Sequence, residues 1–130
     1  MALKSNGRVK DAIKYWEESS RMEQSYSGYA NLSLANISMR NRDTGKALAY
    51  LNKIDPSSFA AADKYHMTGD FFNKQKNYDK AIHAYTQSLE INYGQKKVWD
   101  KLILLKKQHD RRDLLKLIHE YNYVSSFYQR

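Results

Sequence analysis

Shifted by 34 residues, the sequence meets itself: Leu34-Ala35 falls on Thr68-Gly69, Ala47 on Ala81, Leu51 on Tyr85, and Tyr65 on Trp99. A fixed period of about 20 to 50 residues marks a chain of stacked supersecondary units, none of which buries its apolar face alone. The breakers decide what the unit is. One proline and five glycines in 130 residues leave few places to interrupt a helix, and no run of Val, Ile and Thr alternates as a strand would. Val9, Ala12, Ile13 and Trp16 recur at helical spacing, as do Ala81, Ala84, Tyr85, Ser88 and Leu89. The unit is a pair of short amphipathic helices.

On this period the chain is a single domain over 1–130 with about seven helices: a lone helix over 7–21, then pairs over 28–41 with 44–54, 60–75 with 78–91, and 95–108 with 111–125. The repeats therefore span 28–54, 60–91 and 95–125. Asp55-Pro56-Ser57-Ser58 ends one helix and offers hydroxyls to the next, Asn77 and Asp110 stand where N-caps are wanted, and Gly94 follows a helix end. Gly69 and Ala81 are the small residues that let the central pair approach closely, so they are expected to face one another. The last pair carries Ile103 and Leu115 at those positions and must pack further apart or at another angle.

The stretch from Tyr65 reads Tyr-x-x-Thr-Gly-x-x-Phe, followed by Tyr78, Ala81 and Tyr85. It resembles the tetratricopeptide repeat pattern of Trp-x-x-Leu-Gly-x-x-Tyr, Ala and Phe. The resemblance implies an all-α fold, a right-handed superhelical solenoid of antiparallel helix pairs with about three and a half repeats. The 7–21 helix matches the second half of a repeat. Either its partner lies upstream of this sequence, or Trp16 and its neighbours form a terminal cap.

Composition narrows function by exclusion. With no cysteine, disulfides, thiolate metal sites and cysteine nucleophiles are all excluded. A mean hydropathy of -0.83 and the absence of a long apolar run exclude a membrane span and point to a soluble chain, with the cytoplasm favoured. There is no phosphate-cradling glycine loop, no Gly-x-Ser-x-Gly elbow and no His-Glu-x-x-His pair, so catalysis is not expected. His66, His83, His109 and His119 do not form an i, i+4 pair. Neither a metal nor a cofactor is expected.

In proteins that this chain resembles, ligands lie along the concave face lined by the first helix of each pair. The matching positions here are Tyr29, Leu32, Asn36, Met39 and Arg40 on the first pair, His66, Met67, Asp70 and Asn73 on the second, and Lys97, Lys101 and Leu104 on the third. Leu32, Met39, Met67 and Leu104 would receive apolar side chains of a protein or peptide partner. Some such modules grip a carboxylate with a clamp of two Lys, two Asn and one Arg. Asn36, Lys97 and Lys101 match it, but Leu32 and Met67 stand where Lys and Asn belong, which leaves Asn36, His66 and Lys101 to hold one acidic group. The expected function is a non-catalytic protein-protein interaction scaffold.

The net charge of +8 sets up the alternative. Residues 95–130 hold nine Lys and Arg against four Asp and Glu, and their basic run, Lys106-Lys107 with Arg111-Arg112, precedes Tyr121, Tyr123, Phe127 and Tyr128. A basic helical module binding RNA or single-stranded DNA through 96–112 would look like this. Against it, Leu114, Leu117, Ile118, Tyr121, Val124 and Tyr128 form a helical stripe, which assigns most of these aromatics to packing. The apolar terminal helices also suggest a weak homodimer through one end.

Overall fold

The computed structural model describes residues 2–19 and 24–128, and among them it contains seven helices and no strand. The helices are α1 (Ala2–Ser19), α2 (Gln24–Arg40), α3 (Thr44–Asn52), α4 (Ala61–Lys74), α5 (Tyr78–Ile91), α6 (Lys96–His109) and α7 (Leu114–Tyr128). Contacts cluster into two compact units, Met1–Lys64 and Tyr65–Arg130. Helices α3 to α6 fall within a residue or two of the expected bounds, whereas α2 starts four residues earlier than expected. The lone first helix starts earlier than 7, and the end expected at 20–21 lies outside the described residues.

The 34-residue period reappears in the backbone. Arg42 and Lys76, one period apart, both adopt left-handed φ angles of 59° and 61°. After α2 the amide of Asp43 donates to the Ser38 carbonyl at 2.8 Å and that of Arg42 to Met39 at 3.1 Å; after α4, Asn77 donates to Phe72 at 2.9 Å and Lys76 to Asn73 at 3.0 Å. These are paired 6→1 and 5→2 bonds that satisfy carbonyls orphaned at a helix end. The next residue then starts the following helix: the Asp43 carboxylate accepts from the Lys46 amide at 3.2 Å, and the Asn77 side chain from the Lys80 amide at 3.4 Å. Three residues thus reverse the chain, and one residue serves both helices.

In the first unit, α2 packs against both α1 and α3. Ala30, Leu34, Ala35, Ala47, Leu51 and Ile54 are buried. Small residues on α2 let larger ones on α3 come close. Lys64, at the start of α4, donates to the Ile54 carbonyl at 2.9 Å, and burial lowers the pKa of its ammonium. The Asp55 carboxylate accepts from the amide and hydroxyl of Ser57 at 2.9 and 2.8 Å, which holds the turn.

The core of the second unit is Ala81, Tyr85 and Leu89 on α5 with Val98, Trp99, Leu102 and Leu105 on α6. At its closest crossing the side chain nearest to Gly69 is that of Tyr85, one turn beyond the Ala81 expected to face it. A Cβ built on Gly69 would lie 2.5 Å from two atoms of the Tyr85 ring, which is fully buried. Gly94 follows the end of α5, as expected, but does not cap it. The C-cap of α5 is Asn92, in extended conformation, whose side chain accepts from the Gly94 amide at 3.0 Å, and no described glycine has a positive φ.

The last pair departs from the period. Asp110, expected as an N-cap, is the extended C-cap of α6, and its carboxylate binds the Arg112 amide at 3.2 Å and guanidinium at 2.9 Å. Those bonds hold the Asp110 carboxyl at about 2, well below the usual range. The left-handed residue is now Asp113, with φ 58°. Helix α7 consequently starts at Leu114 instead of 111, and Leu114 turns inward while Leu115 is 84% exposed. The bulky residue at the small position is accommodated by turning it out of the contact, and α7 touches α6 less extensively than α5 does.

Two outcomes follow from these contacts. Gly69→Ala lowers stability by about 1–3 kcal/mol through overpacking, whereas Gly45→Ala, in α3 with nothing within 4 Å of the added Cβ, raises it by about 0.5–1 kcal/mol through helix propensity. Denaturant midpoints check both; a Gly69→Ala midpoint at or above wild type contradicts the crossing. A left-handed φ costs a residue with a Cβ about 1–2 kcal/mol, and glycine returns about 0.4–1 kcal/mol of that through its freer unfolded chain. Lys76→Gly therefore stabilises by up to about 1 kcal/mol, and a clear loss of stability would show that the turn is not strained.

Candidate functional site

Three helices of the second unit place five polar side chains together. Lys101 on α6 donates from Nζ to both carboxylate oxygens of Asp70 on α4, at 2.9 and 3.1 Å, and lies 2.8 Å from His66 Nε2 one turn earlier on α4. An ammonium only donates, so His66 Nε2 accepts and the ring proton sits on Nδ1. From α5 the Tyr85 hydroxyl donates to Asp70 Oδ1, and the Asn73 side chain also bonds that hydroxyl. Burial, then the hydrogen bond to Asp70 and its negative charge, push the Tyr85 hydroxyl above its ordinary range. It remains a protonated donor.

The geometry follows from sequence one contact at a time. Gly69 removes the side chain that would block the Tyr85 ring, the ring then crosses α4, and its hydroxyl arrives beside the next residue, Asp70. Asp70 and His66 share a helical face as an i, i+4 pair, with Asp70 Oδ2 3.7 Å from His66 Nε2. Lys101 closes the cluster from α6. Its side chain is 40% exposed and that of Asp70 32%, so the ion pair itself contributes at most about 1 kcal/mol. The larger role of the cluster is geometric, since it fixes α4, α5 and α6 in register.

Of the twelve expected groove residues, His66, Asp70, Asn73 and Lys101 are brought together. In the same unit Met67 is half-buried, Lys97 is exposed and Leu104 is 53% exposed. In the first unit Tyr29, Asn36 and Arg40 are exposed and Met39 is half-buried. Leu32 differs from expectation: it is buried at 9% exposure and serves the core of α2 rather than a partner surface. The Lys101 charge is likewise committed to Asp70 and His66, which removes the basis for its holding an acidic group of a partner.

Tyr85 is the residue that sequence reasoning assigned only to packing. A signal for its second role was present: one period earlier its position holds Leu51 and that of Asp70 holds Asn36. A buried tyrosine hydroxyl where the earlier repeat has an apolar side chain needs a partner, and the carboxylate of Asp70 accepts from it. The basic run is partly paired as well, with Lys96 3.6 Å from Asp100, Arg112 on Asp110, and Lys106 donating to the Arg112 carbonyl at 3.0 Å. Among the described residues no three His, Asp or Glu side chains are grouped to hold a metal ion. No described helix is long and apolar enough to cross a membrane.

No curated protein matches the chain. A family model does: that of the tetratricopeptide repeat-like domain, over residues 6–109. The match runs from α1 to the last residue of α6, includes both regular turns and the Gly69–Tyr85 crossing, and stops before the irregular connection to α7. Covering most of the chain, it establishes that the protein belongs to the tetratricopeptide repeat-like family.

Proposed function

We propose that the protein is a non-catalytic scaffold whose first helices, α2 in the first unit and α4 and α6 in the second, each offer a surface to a partner segment. Domains of this family are in general protein-interaction scaffolds and typically lack catalysis. The observation that carries the finer reading is the pattern of large side chains left outside the core on these helices. Tyr29 is 49% exposed on α2 and Leu104 is 53% exposed on α6, with half-buried Met39 and Met67 on α2 and α4. Thioethers adapt to irregular apolar surfaces, and a tyrosine adds area with a polar tip.

Polarity follows from which cations remain outside the cluster. Lys97 and Lys107 are exposed on α6 and would attract acidic groups of the partner, mainly speeding encounter. In this reading 1–130 acts as one repeat domain. The pairing of Lys96, Lys106 and Arg112 with groups of their own chain weakens the nucleic-acid alternative, because phosphate binding draws its affinity from cations that displace condensed counterions.

A peptide library displayed on phage tests the proposal. Peptides selected on the wild-type protein should lose at least about tenfold in affinity on Tyr29→Glu with Leu104→Glu, with helix content by circular dichroism unchanged because both side chains lie outside the core. Peptides that bind the variant equally well place the surface elsewhere. Sub-micromolar binding of a single-stranded oligonucleotide at about 0.15 M salt, lost on reversing Lys107 and Arg111, would favour the alternative.

A further inference from the structure

A second surface lies apart from the first helices. Between α5, α6 and α7 is a cleft of about 440 Å³, floored by Leu89, Trp99, Leu102 and Leu117 and flanked by Tyr123 and Val124. Its size falls within the range of about 300–1,000 Å³ of sites that enclose a ligand group. The floor is fixed before anything binds. Trp99 Nε1 donates to the Tyr93 carbonyl at 2.7 Å, its ring meets that of Tyr121 edge to face at 5.8 Å, and Gln95 Nε2 donates to the carbonyl and hydroxyl of Ser88, each at 3.0 Å. A preformed floor avoids much of the ordering cost of binding.

Charge indicates the occupant. Glu90, Glu120 and His119 line the cleft, and among the described residues no Lys or Arg does, although Lys96 lines the adjoining pocket that shares Tyr93, Trp99 and Val124. In a chain of net charge +8, two carboxylates stand beside an apolar floor that carries no cation of its own among the described residues. We propose that the cleft binds a peptide segment of a partner protein in which a bulky apolar side chain, seated on Trp99, Leu102 and Leu117, is flanked by Lys or Arg facing Glu90 and Glu120. Apolar burial supplies the affinity, and the carboxylates set the sign of the partner and its orientation. The irregular α6–α7 connection is what opens the site, since it starts α7 late and lessens its contact with α6. The cleft thus depends on α7, a helix outside the family match.

The test is an NMR titration of the full chain with the blocked peptide acetyl-Arg-Leu-Phe-Arg-amide at low salt. The expected result is saturable shifts of the Leu89, Leu117 and Val124 methyls and the Trp99 indole N–H, with affinity falling at least about tenfold in Glu90→Gln with Glu120→Gln. Both carboxylates are exposed, so the variant keeps its fold. The Tyr29→Glu with Leu104→Glu variant should bind the peptide as wild type does, which separates this site from the first-helix surface, and a peptide with Glu in place of Arg should leave the Trp99 signal unmoved. Absence of shifts in the cleft, shifts that survive the loss of both carboxylates, or a cleft already filled by a second copy, seen as a dimer in sedimentation, would each overturn the proposal.

Discussion

The second unit depends on one contact, the ring of Tyr85 lying across Gly69. A glycine inside a helix costs roughly 0.5–1 kcal/mol relative to alanine, and here that loss allows a large aromatic face to approach the backbone of α4. The ring is fully buried and its hydroxyl still finds an acceptor, so the residue fills the core without leaving an unpaired polar group. From that hydroxyl the bonding passes to Asp70, to Lys101 and to His66, which joins three helices. In the first unit Ala35 and Leu51 hold the same two places. There the volume is divided differently and the polar extension is absent.

That contact also gives a suggestive set of residues a structural role. A lysine, an aspartate, a histidine and a tyrosine in contact have the composition of an active site, yet each is occupied by another. The ammonium is neutralised by the carboxylate and shared with the imidazole, and the phenol is held in its protonated form. Such a cluster orients helices. Large side chains lie outside the core elsewhere, Tyr29 on α2, Leu104 on α6 and Tyr123 on α7, and it is on such surfaces that we propose partners bind.

How much of this was legible depends on the range of the interaction. Asn77 as an N-cap, the bounds of α4 and α5, and burial of Ala81 and Tyr85 follow from local spacing, and the structure agrees. Left-handed Arg42 and Lys76 carry no compositional mark, because glycine is the residue such turns normally advertise. Asp110 had two suitors, the next helix as a cap and Arg112 as an ion pair, and the bidentate pair prevailed, moving the start of α7. Lys101 and Asp70 are 31 residues apart in sequence, so nothing local indicated that the lysine charge was spent. Leu32 was placed on a surface by its repeat position, whereas its burial is decided by the packing around α2.

The most direct test of this account is a double-mutant cycle between Gly69 and Tyr85, measured by chemical denaturation of wild type, Gly69→Ala, Tyr85→Leu and the double variant. If the ring crossing sets the spacing of α4 and α5, the alanine is harmful only while the ring is present. The double variant, which reproduces the Ala35 and Leu51 arrangement of the first unit, should then exceed the additive stability by about 1 kcal/mol or more. Additivity within about 0.5 kcal/mol would contradict the claim that this contact organises the unit.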